Sequence, residues 1–265
     1  MGKLFGQIFK EDIKATILWM LAPCILSILG IFIYRTTGAS PFALLVFVTM
    51  TLMAAAALIC LVTLTANDNE RFYRNKAAFY TALPLRSKEV TGARFLNFVV
   101  NGIILGILSL LNALFFTFAD TGTLSLVEFI KYALANIEPW FATYLAKYFV
   151  IALIFFLVFI LEIMAANTLG ASRPFNKMGK AARPLIFVLI FIGQIMIYTR
   201  LLSAFIDHNP THVEEYSSTL QNGGIITITN ISWQTFAVAS LVLIVTAIIY
   251  FLVINYFHKE KISVE

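Results

Sequence analysis

The chain has 265 residues, 60% of them hydrophobic and only 12% charged, with a formal net charge of +5. A water-soluble domain carries about twice that charged fraction, so an ordinary soluble enzyme is excluded. The apolar residues are gathered into blocks, and crossing a bilayer takes roughly 20 of them in a row.

In chain order, the first element is a short amphipathic helix at residues 1–14. At about 100° per residue, Leu4, Phe5, Ile8, Phe9 and Ile13 fall on one half of the wheel, and Lys3, Gln7, Lys10, Glu11 and Lys14 on the other. Asp12 is the exception, an acid on the apolar side. The pattern predicts a helix lying on the cytoplasmic leaflet. The first span follows at 15–34, with Pro23 as a kink site. The second covers 42–66 and carries the small residues Ala54 to Ala57. The third covers 95–118, where Gly102 and Gly106 form a small-xxx-small face. Cys24 and Cys60 lie inside spans and read as small core residues.

Between the second and third spans lies a connection, 67–94, that is long for packed neighbours. Asn67 or Asp68 is positioned to cap a helix, after which Phe72, Tyr73, Lys76, Phe79, Tyr80 and Leu83 recur at steps of three and four. Pro84 ends that helix, because its ring fixes φ and removes an amide donor. Ser87 offers a second cap leading into the third span. The aromatic face needs a partner, either the underside of its own helices or another protein.

The remaining spans are 148–171, 185–206 and 235–257, which completes the fold class expected here: an all-α integral membrane protein with six transmembrane helices. Residues 15–265 thus form one six-span domain. Outer segments occupy 119–147, with an interfacial helix at 125–136 closed by Pro139, and 207–234, where Gly223-Gly224 leads into a β-branched run that reads as a strand or as a re-entrant segment. Of the 19 Lys and Arg residues, 15 lie in the N-terminal segment, the second-to-third and fourth-to-fifth connections and the tail. That bias predicts cytoplasmic termini. It also turns the basic charge toward an anionic leaflet and away from nucleic acid.

Only two charged residues fall inside the six blocks, Glu162 in the fourth and Arg200 in the fifth. An acid at that depth is a functional candidate by default. Gln194, at similar depth in the fifth span, is its expected hydrogen-bond partner, and the pair either joins helices or lines a translocation path. Arg200 either snorkels to the headgroups or meets an anionic group. His208 and His212 are spaced i, i+4, but Pro210 between them argues against a helical metal site, so no metal is expected. All three histidines lie outside the spans, which removes the base that a membrane hydrolase would need. A phosphate-binding loop requires Gly, four residues, Gly, Lys and then Ser or Thr. Gly179-Lys180 is followed by Ala181 and preceded five positions earlier by Pro174. The chain therefore has no ATP-binding motif of its own and is not expected to be an enzyme.

The run from Arg71 to Val90, RFYRNKAAFYTALPLRSKEV, placed between the second and third of six spans, resembles the corresponding region of permease subunits of the type-2 ABC exporter superfamily. The topology is similar too, with an amphipathic N-terminal helix, both ends inside and a longer outer segment before the last span. The resemblance implies that Arg71, Phe72, Tyr73 and Arg74 belong to a coupling helix that docks on a nucleotide-binding subunit, with Phe79, Leu83 and Pro84 fixing its exit. It implies a separate ATPase partner that binds ATP and Mg, a second permease copy, and a place in the bacterial cytoplasmic membrane. It also favours a re-entrant helical pair in 207–234. The substrate it suggests is an amphipathic peptide, such as a toxin or antimicrobial peptide, with Glu162, Gln194 and Arg200 as path residues. Efflux of a lipid or hydrophobic drug, and an ion-coupled carrier using Glu162, are the alternatives.

Overall fold

The computed structural model describes residues 1–37, 42–74, 76–81, 86–121, 139–172, 175, 181–208, 213–219 and 225–260. Six of its helices are long and apolar enough to cross a membrane. They are α1 (Gly2–Thr37), α2 (Phe42–Tyr73), α4 (Ser87–Thr121), α5 (Pro139–Gly170), α6 (Ala182–His208) and α7 (Trp233–Glu260), with the five-residue α3 (Ala77–Thr81) between α2 and α4. The shortest of the six has 27 residues, or about 40 Å at 1.5 Å per residue. Each therefore exceeds the roughly 30 Å hydrocarbon core, and polar ends project beyond it.

Apolar side chains in mid-helix face outward. Leu18, Phe47, Val62 and Leu241 are between 64% and 71% exposed. In water so large an apolar surface would demand a partner, and lipid supplies one.

The chain divides into two compact units, Met1–Asn136 with Ser263–Glu265, and Ile137–Ile262. In the first, α1 packs against both α2 and α4. The expected interfacial helix at 1–14 is not a separate element, because α1 runs unbroken from Gly2 and continues through Pro23. Its apolar side is turned to protein and not to a leaflet: Leu4 and Ile8 are buried in a cluster with Phe72, Tyr80, Val90 and Ala93. The same stripe continues up the helix at steps of three and four as Asp12, Thr16, Met20, Cys24 and Ser27, all buried.

Helix α2 also overruns its predicted end. Asn67 and Asp68 lie inside it, so neither caps a new helix. The cap before the third span is Arg86, whose amide donates to Glu89 Oε2 at 3.1 Å. This is the return half of a capping box, one residue ahead of the predicted Ser87.

Of the predicted pair, Gly106 is not a site of close helix approach, whereas Gly30, outside that pair, is one. A Cβ on Gly106 would meet nothing within 4 Å, whereas one on Gly30 would run into the Leu45 side chain. Glycine at that position lets α1 and α2 pass closely. Of the alanine run, Ala56 is buried and Ala54 exposed.

In the second unit, α5 packs along both α6 and α7. Phe159 of α5 meets Phe187 of α6 edge to face at 5.8 Å. Near the start of α5, the Lys147 ammonium lies 4.4 Å over the Trp233 ring of α7, which sets those two helices in parallel. Pro139, expected to close an interfacial helix, instead opens α5, where its missing amide costs nothing. The predicted helix at 125–136 lies outside the described residues.

The described residues between α6 and α7 are not helical. They contribute an antiparallel pair, β1 (Val213–Thr219) and β2 (Ile225–Ile231), in register from Val213 opposite Ile231 to Thr219 opposite Ile225. Among the described residues the helical fold therefore carries one two-stranded sheet, and the β-branched run at 225–231 takes the strand alternative over the re-entrant one.

Candidate functional site

Two polar centres stand out in an otherwise apolar molecule, one in each unit. The first is built on Asp12, which is fully buried. Its Oδ1 accepts from Arg71 Nη2 at 2.6 Å and Asn67 Nδ2 at 2.7 Å, and its Oδ2 from Arg71 Nη1 at 2.9 Å and Asn97 Nδ2 at 2.6 Å. Four donors from α2 and α4 thus converge on one carboxylate of α1. Arg71 adds Glu11 through Nε at 3.1 Å.

A second ion pair lies beside it. Arg94, also buried, donates through Nε and Nη2 to Asp68 at 2.7 and 2.6 Å and through Nη1 to the Tyr73 hydroxyl at 2.8 Å. Its guanidinium sits 4.9 Å from the Phe72 ring and 5.2 Å from the Tyr73 ring. A bidentate pair with aromatic rings against the guanidinium is a geometry in which buried arginine is tolerated. The polar stripe continues along the α1–α4 contact, where Asn101 Nδ2 bonds the Asn97 carbonyl and Ser27 bonds Asn112. Such bonds help join helices where lipid removes the hydrophobic drive.

Helix α3 rests on this assembly. Tyr80 is buried against Phe72 at 5.3 Å between centroids and donates to Glu11 Oε1 at 3.4 Å. Burial first, and the Glu11 charge second, push its phenol above the usual range. On the other face Phe79 is 58% exposed and stacks edge-on to Tyr80.

Of the residues expected to dock on a partner, Arg71 and Phe72 are therefore not presented to one, since both are buried in contacts within the chain. Tyr73 is half-buried at Arg94. Arg74, just past the end of α2, is partly exposed and reaches back to Glu70 at 3.5 Å. Phe79 is the exposed member of the set, and Leu83 and Pro84 lie outside the described residues. Asp12, Arg94 and Asn97 are members of this network to which the sequence reading gave no role, and Asp68 it read as a cap. The available signal was Asp12 itself, the one residue on the wrong side of the helical wheel.

The second centre lies among α5, α6 and α7. Glu162 is fully buried, and neither carboxylate oxygen has a hydrogen-bond partner among the described residues. The expected bond to Gln194 is absent, because Gln194 Oε1 accepts instead from the Tyr250 hydroxyl at 2.6 Å. Gln194, Tyr198, Thr246 and Tyr250 line a cavity of about 480 Å³ between α6 and α7, whose other walls are aliphatic. Arg200 does not join this group; it is exposed on α6.

Cys24 and Cys60 are buried free thiols. Among the described residues, no group of three or more His, Cys, Asp or Glu side chains is arranged to hold a metal ion, and the His212 side of the His208–His212 pair lies outside them. No protein-family model, no curated protein and no solved structure matches the chain.

Proposed function

We propose that this chain is the membrane-spanning permease subunit of an ATP-driven exporter, working as a dimer with a separate ATPase that binds ATP and Mg. Its place is the bacterial cytoplasmic membrane, with both termini inside. The observation that carries the reading is the mounting of α3. This helix presents the exposed Phe79 on one face, while its other face is embedded through Tyr80 in the cluster that joins α1, α2 and α4. Those helices are cross-tied just beneath by Arg71–Asp12 and Arg94–Asp68. A force applied at Phe79 would therefore reach three spanning helices together, as an attachment point for a motor protein requires.

The cargo suited to an apolar path with few charges is amphipathic, and a peptide such as a toxin or antimicrobial peptide is the favoured class. A lipid or hydrophobic drug would meet the same walls. The unpaired Glu162 carboxylate favours one competing reading, an ion-coupled carrier that needs no ATPase.

The experiment is to isolate the tagged chain from native membranes in mild detergent and assay ATPase activity and ATP-dependent uptake of a fluorescent amphipathic peptide into inverted vesicles. Wild type should retain a nucleotide-hydrolysing chain, and Phe79→Asp should lose it and reduce uptake at least tenfold with helix content unchanged. Full ATP-driven uptake by Phe79→Asp would overturn the coupling role. Uptake by the chain alone in proteoliposomes, driven by a pH gradient without ATP, would establish the carrier instead.

A further inference from the structure

Glu162 sits in an enclosed stretch of α5. From Val158 to Ala166 every residue except Phe159 is at most 6% exposed, and Glu162 is wholly buried. That stretch covers roughly two and a half turns, so the helix is sheathed on all its sides there. The carboxyl meets neither water nor lipid. One turn away on the same helix, Val158, Ala165 and Ala166 are apolar. Neither carboxyl oxygen has a hydrogen-bond partner among the described residues, and none of the ion pairs among them includes Glu162.

The cations on the three helices of this unit stand elsewhere. Lys147 lies over the Trp233 ring, about four turns before Glu162. Arg183, in the first turn of α6, packs against Gly170, about two turns past it. Arg200 is exposed on α6. His208 belongs to the last turn of α6, and His258 and Lys259 to the last turn of α7, as do the acids Asp207 and Glu260 of the same two ends. The phenols of these helices, Tyr144, Tyr148, Tyr198, Tyr250 and Tyr256, can supply no positive charge.

An ionised carboxylate with no counter-charge and no donor is strongly disfavoured in an apolar interior, and such a group neutralises instead. A hard metal cation asks for several oxygen ligands, and no polar side chain is bonded to Glu162 to provide them. A proton needs no room and no further ligand. We infer that Glu162 is a proton-binding site within the membrane, a neutral carboxylic acid in this packing. The bond formed is an O–H on one carboxyl oxygen, with the proton taken from water as α5 is packed. Loss of that proton would leave a bare charge in the same dry surroundings.

This inference does not rest on the exporter reading, since it concerns α5 whatever the energy source. Under the carrier reading it names the proton, and not a metal cation, as the bound ion.

The test is infrared spectroscopy of the full chain, prepared with carbon-13-labelled and with unlabelled glutamate. The protein is held in an alkyl maltoside, a detergent with no carbonyl group to mask the acid band. A glutamate in water is ionised at about pH 7, so a label-sensitive acid carbonyl band at that pH marks a sealed carboxyl. Wild type is expected to show such a band, equivalent to one carboxyl per chain, and Glu162→Gln to lack it. Label-sensitive bands from ionised carboxylate alone in wild type would overturn the inference, and that result does not depend on the variant folding. An acid band retained by Glu162→Gln would belong to another glutamate and would overturn it equally. Phe79→Asp lies in the other unit of the chain, so failure of the coupling role and failure of the proton site are read separately.

Discussion

Asp12 receives four hydrogen bonds, two of them from a guanidinium, in a place closed to water. Removing the carboxylate leaves the Asn67 and Asn97 amides without this acceptor and Arg71 with only the partly exposed Glu11, and breaking a buried pair costs about 3–5 kcal/mol. Asp12→Ala should lower stability by that amount, seen as a fall in the thermal unfolding temperature in detergent. Asp12→Ala combined with Arg71→Met should recover a large part of the loss, because the second change removes the stranded cation. A double variant no better than the single one would show that the pair is not coupled. Tyr80 supplies a pH-dependent readout in the same cluster. Its phenol is pushed upward by burial and by Glu11, so the folded state holds that proton more tightly than the unfolded chain, whose tyrosine titrates near about 10. Stability from this source is present below about pH 10 and is lost as pH rises through the folded value. Tyr80→Phe should flatten the alkaline arm of the stability profile between about pH 9 and 11; an unaltered arm would assign it to other groups.

At the scale of elements, helix contacts in the membrane depend on backbone approach, and two glycines govern it. A side chain at Gly30 would meet Leu45, and one at Gly170 would meet the Arg183 backbone, with Cα at 3.1 Å. The first neighbour is the end of a flexible side chain, the second is main chain. Gly170→Val should therefore destabilise more than Gly30→Ala, by about 1–3 kcal/mol for overpacking of this kind, read as loss of the unfolding transition common to α5 and α6. Equal effects would mean that the α5–α6 turn yields. The sequence reading found the small residues but assigned the contact to Gly102 and Gly106, because a small-xxx-small spacing reports which side chains are small and not which face meets a neighbour. The N-terminal segment went the same way. Its amphipathic wheel was legible, yet a wheel does not say whether lipid or Phe72, Tyr80 and Val90 will cover the apolar side. At 225–231 β-branching kept a strand open as one of two readings, and the structure takes that one where the family resemblance pointed to a re-entrant helix.

For the whole molecule, six apolar blocks and the near absence of charge within them determined six helices able to cross a membrane. That conclusion needs no tertiary information, since the length and hydropathy of a segment are local properties and a bilayer imposes its own secondary structure on them. Which polar residues would meet was decided only by packing. Asp12 and Arg71 are 59 positions apart, Asp12 and Asn97 are 85 apart, and Gln194 and Tyr250 are 56 apart. Nothing in the local pattern distinguishes an arginine that faces a partner from one drawn inward by a buried acid. The tertiary structure turned Arg71 and Phe72 from expected docking residues into internal ones, left Phe79 as the exposed aromatic, and separated Glu162 from the partner the sequence offered it. The physical reason is the same in each case: in a low-dielectric interior the energy of a polar group is set by what it touches, and contact is a property of the fold.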